Sequence, residues 1–149
     1  MDPEARVGAR PSRIGLIVGL IAVLVIVAGC QFLPTTPIAL QGTAWRVVDM
    51  AGQAPVPGSE PTVVFADGGI QGTSGCNSYG GAIQIDGAAI KVGDLAMTLV
   101  GCGDRVGEIE GRFVKALSSA DRAAVRADGM LVLSGPDGEI LLRRDGAGG

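Results

Sequence analysis

Val106-Gly107-Glu108-Ile109-Glu110-Gly111-Arg112-Phe113-Val114-Lys115-Ala116-Leu117-Ser118 decides the fold class, because it is the one convincing helix signal in the folded part of the chain. Val106, Ile109, Phe113, Ala116 and Leu117 recur at spacings of three and four, which aligns them along one side of a helix predicted over residues 107–118. Glu108, Glu110 and Arg112 are expected to face elsewhere. Acidic residues lie early and Lys115 lies late, an order that complements the helix dipole. Phe113 is expected to hold this helix on a sheet as a core residue.

Working outward, the rest of the domain reads as strands. Asp67-Gly68, Asp86-Gly87, Asp128-Gly129 and Asp137-Gly138 each lie beside apolar residues. That is a hairpin signal, because Asp-Gly suits turns that need positive φ. Strands are predicted at residues 44–49, 62–65, 69–73, 81–85, 89–92, 124–127, 130–134 and 140–143. β-branched and apolar residues dominate Ile83-Gln84-Ile85 and Met130-Leu131-Val132-Leu133, as a half-buried sheet requires. Strands with one helix make an α+β domain.

The N-terminus has a different character. Arg6, Arg10 and Arg13 precede an apolar run over residues 14–27, and Val27-Ala28-Gly29-Cys30 follows at its end. A basic region, an apolar segment and small residues before a cysteine form a bacterial lipoprotein signal. On that reading residues 1–29 are the signal peptide and Cys30 is lipidated as the first residue of the mature protein. Residues 30–40, with Pro34 and Pro37, are a tether, 41–145 the folded domain and 146–149 a flexible tail. The alternative is an uncleaved membrane anchor, for which the run is short. Both readings anchor the chain to the cell membrane with the domain outside the cytoplasm.

Composition narrows the function. From residue 31 onward nine basic residues oppose thirteen acidic ones, with no basic cluster, which argues against nucleic-acid binding. Histidine is absent from the whole chain, removing the commonest general base. Ser74 and Ser78 flank Cys76 without an evident base, and Asp94 with Asp104 reads as turn aspartates rather than a catalytic pair. If Cys30 is acylated, Cys76 and Cys102 remain as an even pair in an exported chain, which suggests a disulfide. A redox or metal role is the alternative, although no C-x-x-C is present and a zinc site would lack ligands.

The blocks Gln41-Gly42-Thr43-Ala44-Trp45, Pro61-Thr62-Val63-Val64-Phe65 and Gly68-Gly69-Ile70-Gln71-Gly72 set a pattern. It continues through Ser74-Gly75-Cys76-Asn77-Ser78-Tyr79-Gly80-Gly81, Leu95-Ala96-Met97-Thr98-Leu99-Val100-Gly101-Cys102, Glu110 with Phe113 and Leu117, and Leu131-Val132-Leu133. Together they resemble the META domain (HslJ-like) family of bacterial envelope proteins over nearly the whole domain. Departures are Ala82 in place of a common aromatic, Gly101 for a frequent alanine and Gly103 for a common proline. The resemblance implies a small antiparallel, curved or barrel-like sheet packed on one helix, frequent lipoprotein context, and a loose association with envelope stress. It brings no catalytic residue set.

The expectation is therefore a non-catalytic accessory lipoprotein of the cell envelope, without cofactor or metal, that contacts an envelope protein. The alternative is a binding module for a small apolar or amphipathic ligand such as a lipid or antibiotic. Asn77 is expected to serve its own turn, the alternative being that Asn77, Ser78 and Tyr79 line a polar mouth that binds a ligand or partner.

Overall fold

The computed structural model describes residues 38–146. The predicted signal segment, Cys30, the tether up to residue 37 and the last three residues lie outside the described residues. Among the described residues no helix is long and apolar enough to cross a membrane.

Side chains alternate inward and outward along β1 (Thr43–Met50), so Trp45 and Val47 are buried. A bulge between Val47 and Asp49 shifts the register, so Met50 rather than Asp49 faces the core. β2 (Thr62–Ala66) and β3 (Gly69–Thr73) follow as a hairpin through Asp67-Gly68. Asp67 itself adopts a positive φ of 52°, the conformation that aspartate tolerates better than most residues. Next come β4 (Ser78–Asp86), β5 (Ala89–Val92), β6 (Ala96–Met97) and the helix α1 (Asp104–Ser118). β7 (Arg122–Val125), β8 (Leu131–Gly135) and β9 (Gly138–Arg144) complete the fold.

The strands pair in the order β3-β2-β1-β9-β8-β7-β5-β4, and β3 also pairs with β4, which closes the sheet into an antiparallel barrel. β6 hangs on the outside of the first half of β4. The thinnest seam joins β5 to β7, where Ala89 opposes Arg122 between the bonds Ile90 N–H to Asp121 O and Ala123 N–H to Ala88 O. Closure removes the exposed edges that an open sheet would present. The interior is filled with side chains: Phe65, Leu131, Leu133, Ile140 and Leu142 from the strands meet Ile109, Phe113 and Leu117 from α1. Leu40 belongs to this core, and Thr43 Oγ1 donates to its carbonyl at 2.5 Å, so the packed fold starts ahead of Gln41.

The two ends of the barrel differ. At one end α1 packs beside the β8–β9 turn, with Lys115 Nζ 3.0 Å from Asp137 Oδ1 and Ser119 Oγ accepting from Asp137 N–H. The Ser74–Asn77 loop between β3 and β4 lies at this end too, since Ser74 reaches Glu110 of α1. At the other end lie the turns at residues 67–68, 86–88 and 128–129, with the chain's entry at Ile38.

Most predicted elements are present, with shifted boundaries. α1 starts at Asp104, three residues before the predicted start, because Gly107 sits within the first turn rather than before it. β4 starts at Ser78, three residues before the predicted start at Gly81, and runs through Gly80-Gly81. There a Cβ on Gly81 would lie 2.6 Å from the carbonyl oxygen of Asp94, so glycine lets the strand pass beneath the following loop. β7 lies two residues earlier than predicted, and the two-residue β6 was not predicted at all.

Candidate functional site

The loop from Ser74 to Asn77 turns the chain from β3 into β4, and Gly75 makes the turn at a φ of 101°. A Cβ there would also meet the Ser59 carbonyl oxygen at 2.5 Å. Ser74 N–H donates to Asn77 O at 2.7 Å, and Asn77 N–H donates back to Ser74 Oγ at 3.2 Å. Both residues are buried. A buried polar pair must find partners for every remaining valence, and the rest of the site is built from those partners.

The Asn77 amide is fully occupied. Its Nδ2 donates to Val100 O and to Glu110 Oε2, each at 3.1 Å. Its Oδ1 accepts from Val100 N–H at 2.7 Å and from Thr98 Oγ1 at 2.9 Å. An asparagine side chain offers two donors and two acceptor sites, and all four face protein atoms. Ser74 Oγ also donates to Glu110 Oε1; with one hydroxyl proton, it favours the charged acceptor over the nearby Asn77 carbonyl. Ser78 is exposed and pairs with Thr98 through its backbone, N–H to Oγ1 and O from N–H.

The covalent half of the site is the disulfide Cys76–Cys102, whose Cα atoms are 6.2 Å apart. Asn77 Nδ2 lies 3.8 Å from both sulfurs. Cys76, Cys102 and Glu110 form the one group of three potential metal ligands among the described residues with ligand atoms within 4.8 Å of one another. With both sulfurs joined, neither offers the thiolate that a soft metal needs.

Together these contacts hold the 98–102 loop from both ends, and its apolar side chains face water. Leu99 is 94% exposed and Val100 65% exposed. Solvent exposure of single apolar residues is ordinary, but two adjacent ones on a loop fixed by a disulfide and a buried amide form a rigid apolar tip. Beneath it Tyr79, only 5% exposed, packs at 5.6 Å on Phe113 and donates its hydroxyl to Thr62 O at 2.8 Å. Burial pushes its phenol well above the usual tyrosine range, so it stays a neutral donor.

Of the three residues considered for a polar mouth, Asn77 and Tyr79 are therefore buried with their polar atoms bonded to protein, and Ser78 alone reaches the surface. Asp94 and Asp104 are exposed. Glu110 overturns the sequence expectation: it faces the Ser74–Asn77 loop and the disulfide. The signal was present, since Val106, Glu110, Phe113 and Leu117 are spaced by four, three and four, which puts the glutamate on the buried stripe.

A family profile described as META domain matches residues 38–147. No curated protein matches the chain. Among solved structures, the NMR structure of a protein from Burkholderia xenovorans is similar at 22% identity, with 98% of each chain covered and a TM-score of 0.60. A second NMR structure is similar at 20% identity and a TM-score of 0.61, over 72% of this chain and 93% of that one. The second of these shows the same fold in a chain of about domain length. The closed barrel, the single helix and the profile spanning them agree: this chain belongs to the META domain family.

Proposed function

We propose that this chain is a membrane-anchored, extracytoplasmic lipoprotein with a non-catalytic accessory role in the cell envelope, exerted under stress. It holds an envelope protein through the apolar tip at Leu99 and Val100. The carrying observation is that tip, held rigid by Asn77 and the Cys76–Cys102 disulfide while two large apolar side chains face solvent. A rigid loop loses little conformational freedom on binding. Burying its two apolar side chains against a partner contributes about 2–4 kcal/mol.

Three further features support the reading. The site's polar groups face one another rather than a cleft, so none is poised for proton transfer. The lipoprotein signal ending at Cys30 brings the chain to an oxidising compartment, where the disulfide persists. META family membership agrees with an envelope context.

The test places a photocrosslinking residue at position 99 in living cells, with position 86 as control. The expected result is one reproducible envelope-protein adduct from position 99 that disappears with Val100→Ser. Equal labelling from both positions would refute the partner role. A second reading, a module for a small apolar or amphipathic ligand, draws on a depression of about 790 Å³ at the other end of the barrel.

A further inference from the structure

The barrel interior is full, so a ligand would rest at a mouth rather than inside. The mouth opposite α1 is open, and its depression of about 790 Å³ falls within the usual range for small-molecule sites. Ile38, Trp45, Val125 and Met130 give it apolar walls, and Val125 is 46% exposed. Arg144, at the end of β9, lies on the Trp45 side of the sheet and brings a guanidinium to this wall, while its neighbour Arg143 alternates to the outer face beside Arg46.

The charges at this mouth are unbalanced. Asp128 also lines it, but its carboxylate is 3.0 Å from Arg126. Among the described residues, no carboxylate lies within 4.0 Å of Arg143 or Arg144. Glu60 feels Arg143 only from beyond that distance. Arg144 instead lies over the Trp45 ring, 5.4 Å from its centroid, a contact that orients the guanidinium. In a chain of net charge −3, this is a local positive spot beside an apolar hollow.

We infer that this mouth binds a single-chain amphiphile with an anionic head, specifically a long-chain fatty acid. The chain lies on Ile38, Trp45, Val125 and Met130, and the carboxylate pairs with Arg144. Guanidinium and carboxylate match in a two-bond fork. The inference rests on the second reading of the function, that the domain binds a small amphipathic molecule, and adds the head-group chemistry and the residue that reads it. Ile38 also places the hollow at the end of the barrel where the described chain begins.

Trp45 is the chain's single tryptophan and lines the hollow, so it reports occupancy directly. The experiment titrates residues 31–149, a length at which a solved relative shows this fold, with 9,10-dibromostearate. The bromines quench a tryptophan on contact. Saturable quenching at one equivalent is expected, with affinity falling about tenfold for Arg144→Gln and unchanged for Arg143→Gln on the outer face. The uncharged dibrominated alcohol should bind correspondingly more weakly, and Val125→Glu should abolish quenching without lowering the Tm.

Equal binding of acid and alcohol would overturn the arginine recognition while leaving the small-ligand reading intact. Absence of quenching by either would overturn both. Quenching that vanishes on dilution of the protein, with a dimer in sedimentation, would assign the hollow to a second copy and overturn the inference.

Discussion

Replacing Asn77 by alanine tests whether the candidate site is a structural clamp. The side chain makes four hydrogen bonds, to Thr98 Oγ1, Val100 N–H, Val100 O and Glu110 Oε2. Three lead to the exposed 98–102 loop, where water can take over, and each contributes about 0.5–1 kcal/mol. The fourth, to a carboxylate, is charge-assisted and contributes about 1.5–3 kcal/mol. Asn77→Ala should therefore destabilise the domain by about 3–6 kcal/mol, a large share of the 5–15 kcal/mol typical of a domain. For a domain of this size that is a fall in Tm of about 12 °C or more. Urea denaturation followed by Trp45 fluorescence, with the disulfide intact, measures it. Asn77→Asp keeps the shape but sets a carboxylate where Nδ2 faced Glu110, so at neutral pH it should lose at least as much. A loss below about 1 kcal/mol in both variants would refute the clamp, because unmet buried polar groups cost more than that.

Three other outcomes follow from the same geometry. Removing the disulfide with Cys76→Ser and Cys102→Ser together should cost about 3.5 kcal/mol on the chain-entropy argument for a separation of 26 residues; an unchanged urea midpoint would contradict it. Phe113→Ala, at a fully buried position against Tyr79, should cost about 3–5 kcal/mol by calorimetry. Glu60 is held below the usual carboxylate range by the N–H groups of Glu60 and Gly58, with Arg46 and Arg143 adding attraction. A depressed folded-state value adds stability above the unfolded value, and this is lost as pH falls through the folded one. The stability gap between the native chain and Glu60→Gln should thus be small, present at neutral pH and absent in acid, and an NMR titration of Glu60 at or above its ordinary value would contradict it.

The helix and the hairpins were legible because periods of 3.6 and 2 and the Asp-Gly turns are local signals. The pairing of Cys76 with Cys102 was legible from parity once Cys30 was set aside. Other features depend on distant partners. β6 is two residues whose strand character comes from Tyr79 and Gly80 on β4, and no period can reveal so short a segment. The start of β4 at Ser78 rather than Gly81 depends on the pairing of Ser78–Gly80 with β3 and β6. Closure of the ring rests on β3 meeting β4 and on one residue pair between β5 and β7, neither of which leaves a mark in composition. Glu110 looked like a solvent-facing charge because helix charges usually are; only the buried Ser74 and Asn77 show what it serves.

The proposed envelope lipoprotein stands most directly on the intact mass of the protein extracted from membranes and alkylated without reduction. The account expects residues 30–149 plus a lipid group, with no alkylated thiol. A full-length mass carrying alkylated cysteines would contradict it, leaving an uncleaved segment and a free pair at Cys76 and Cys102.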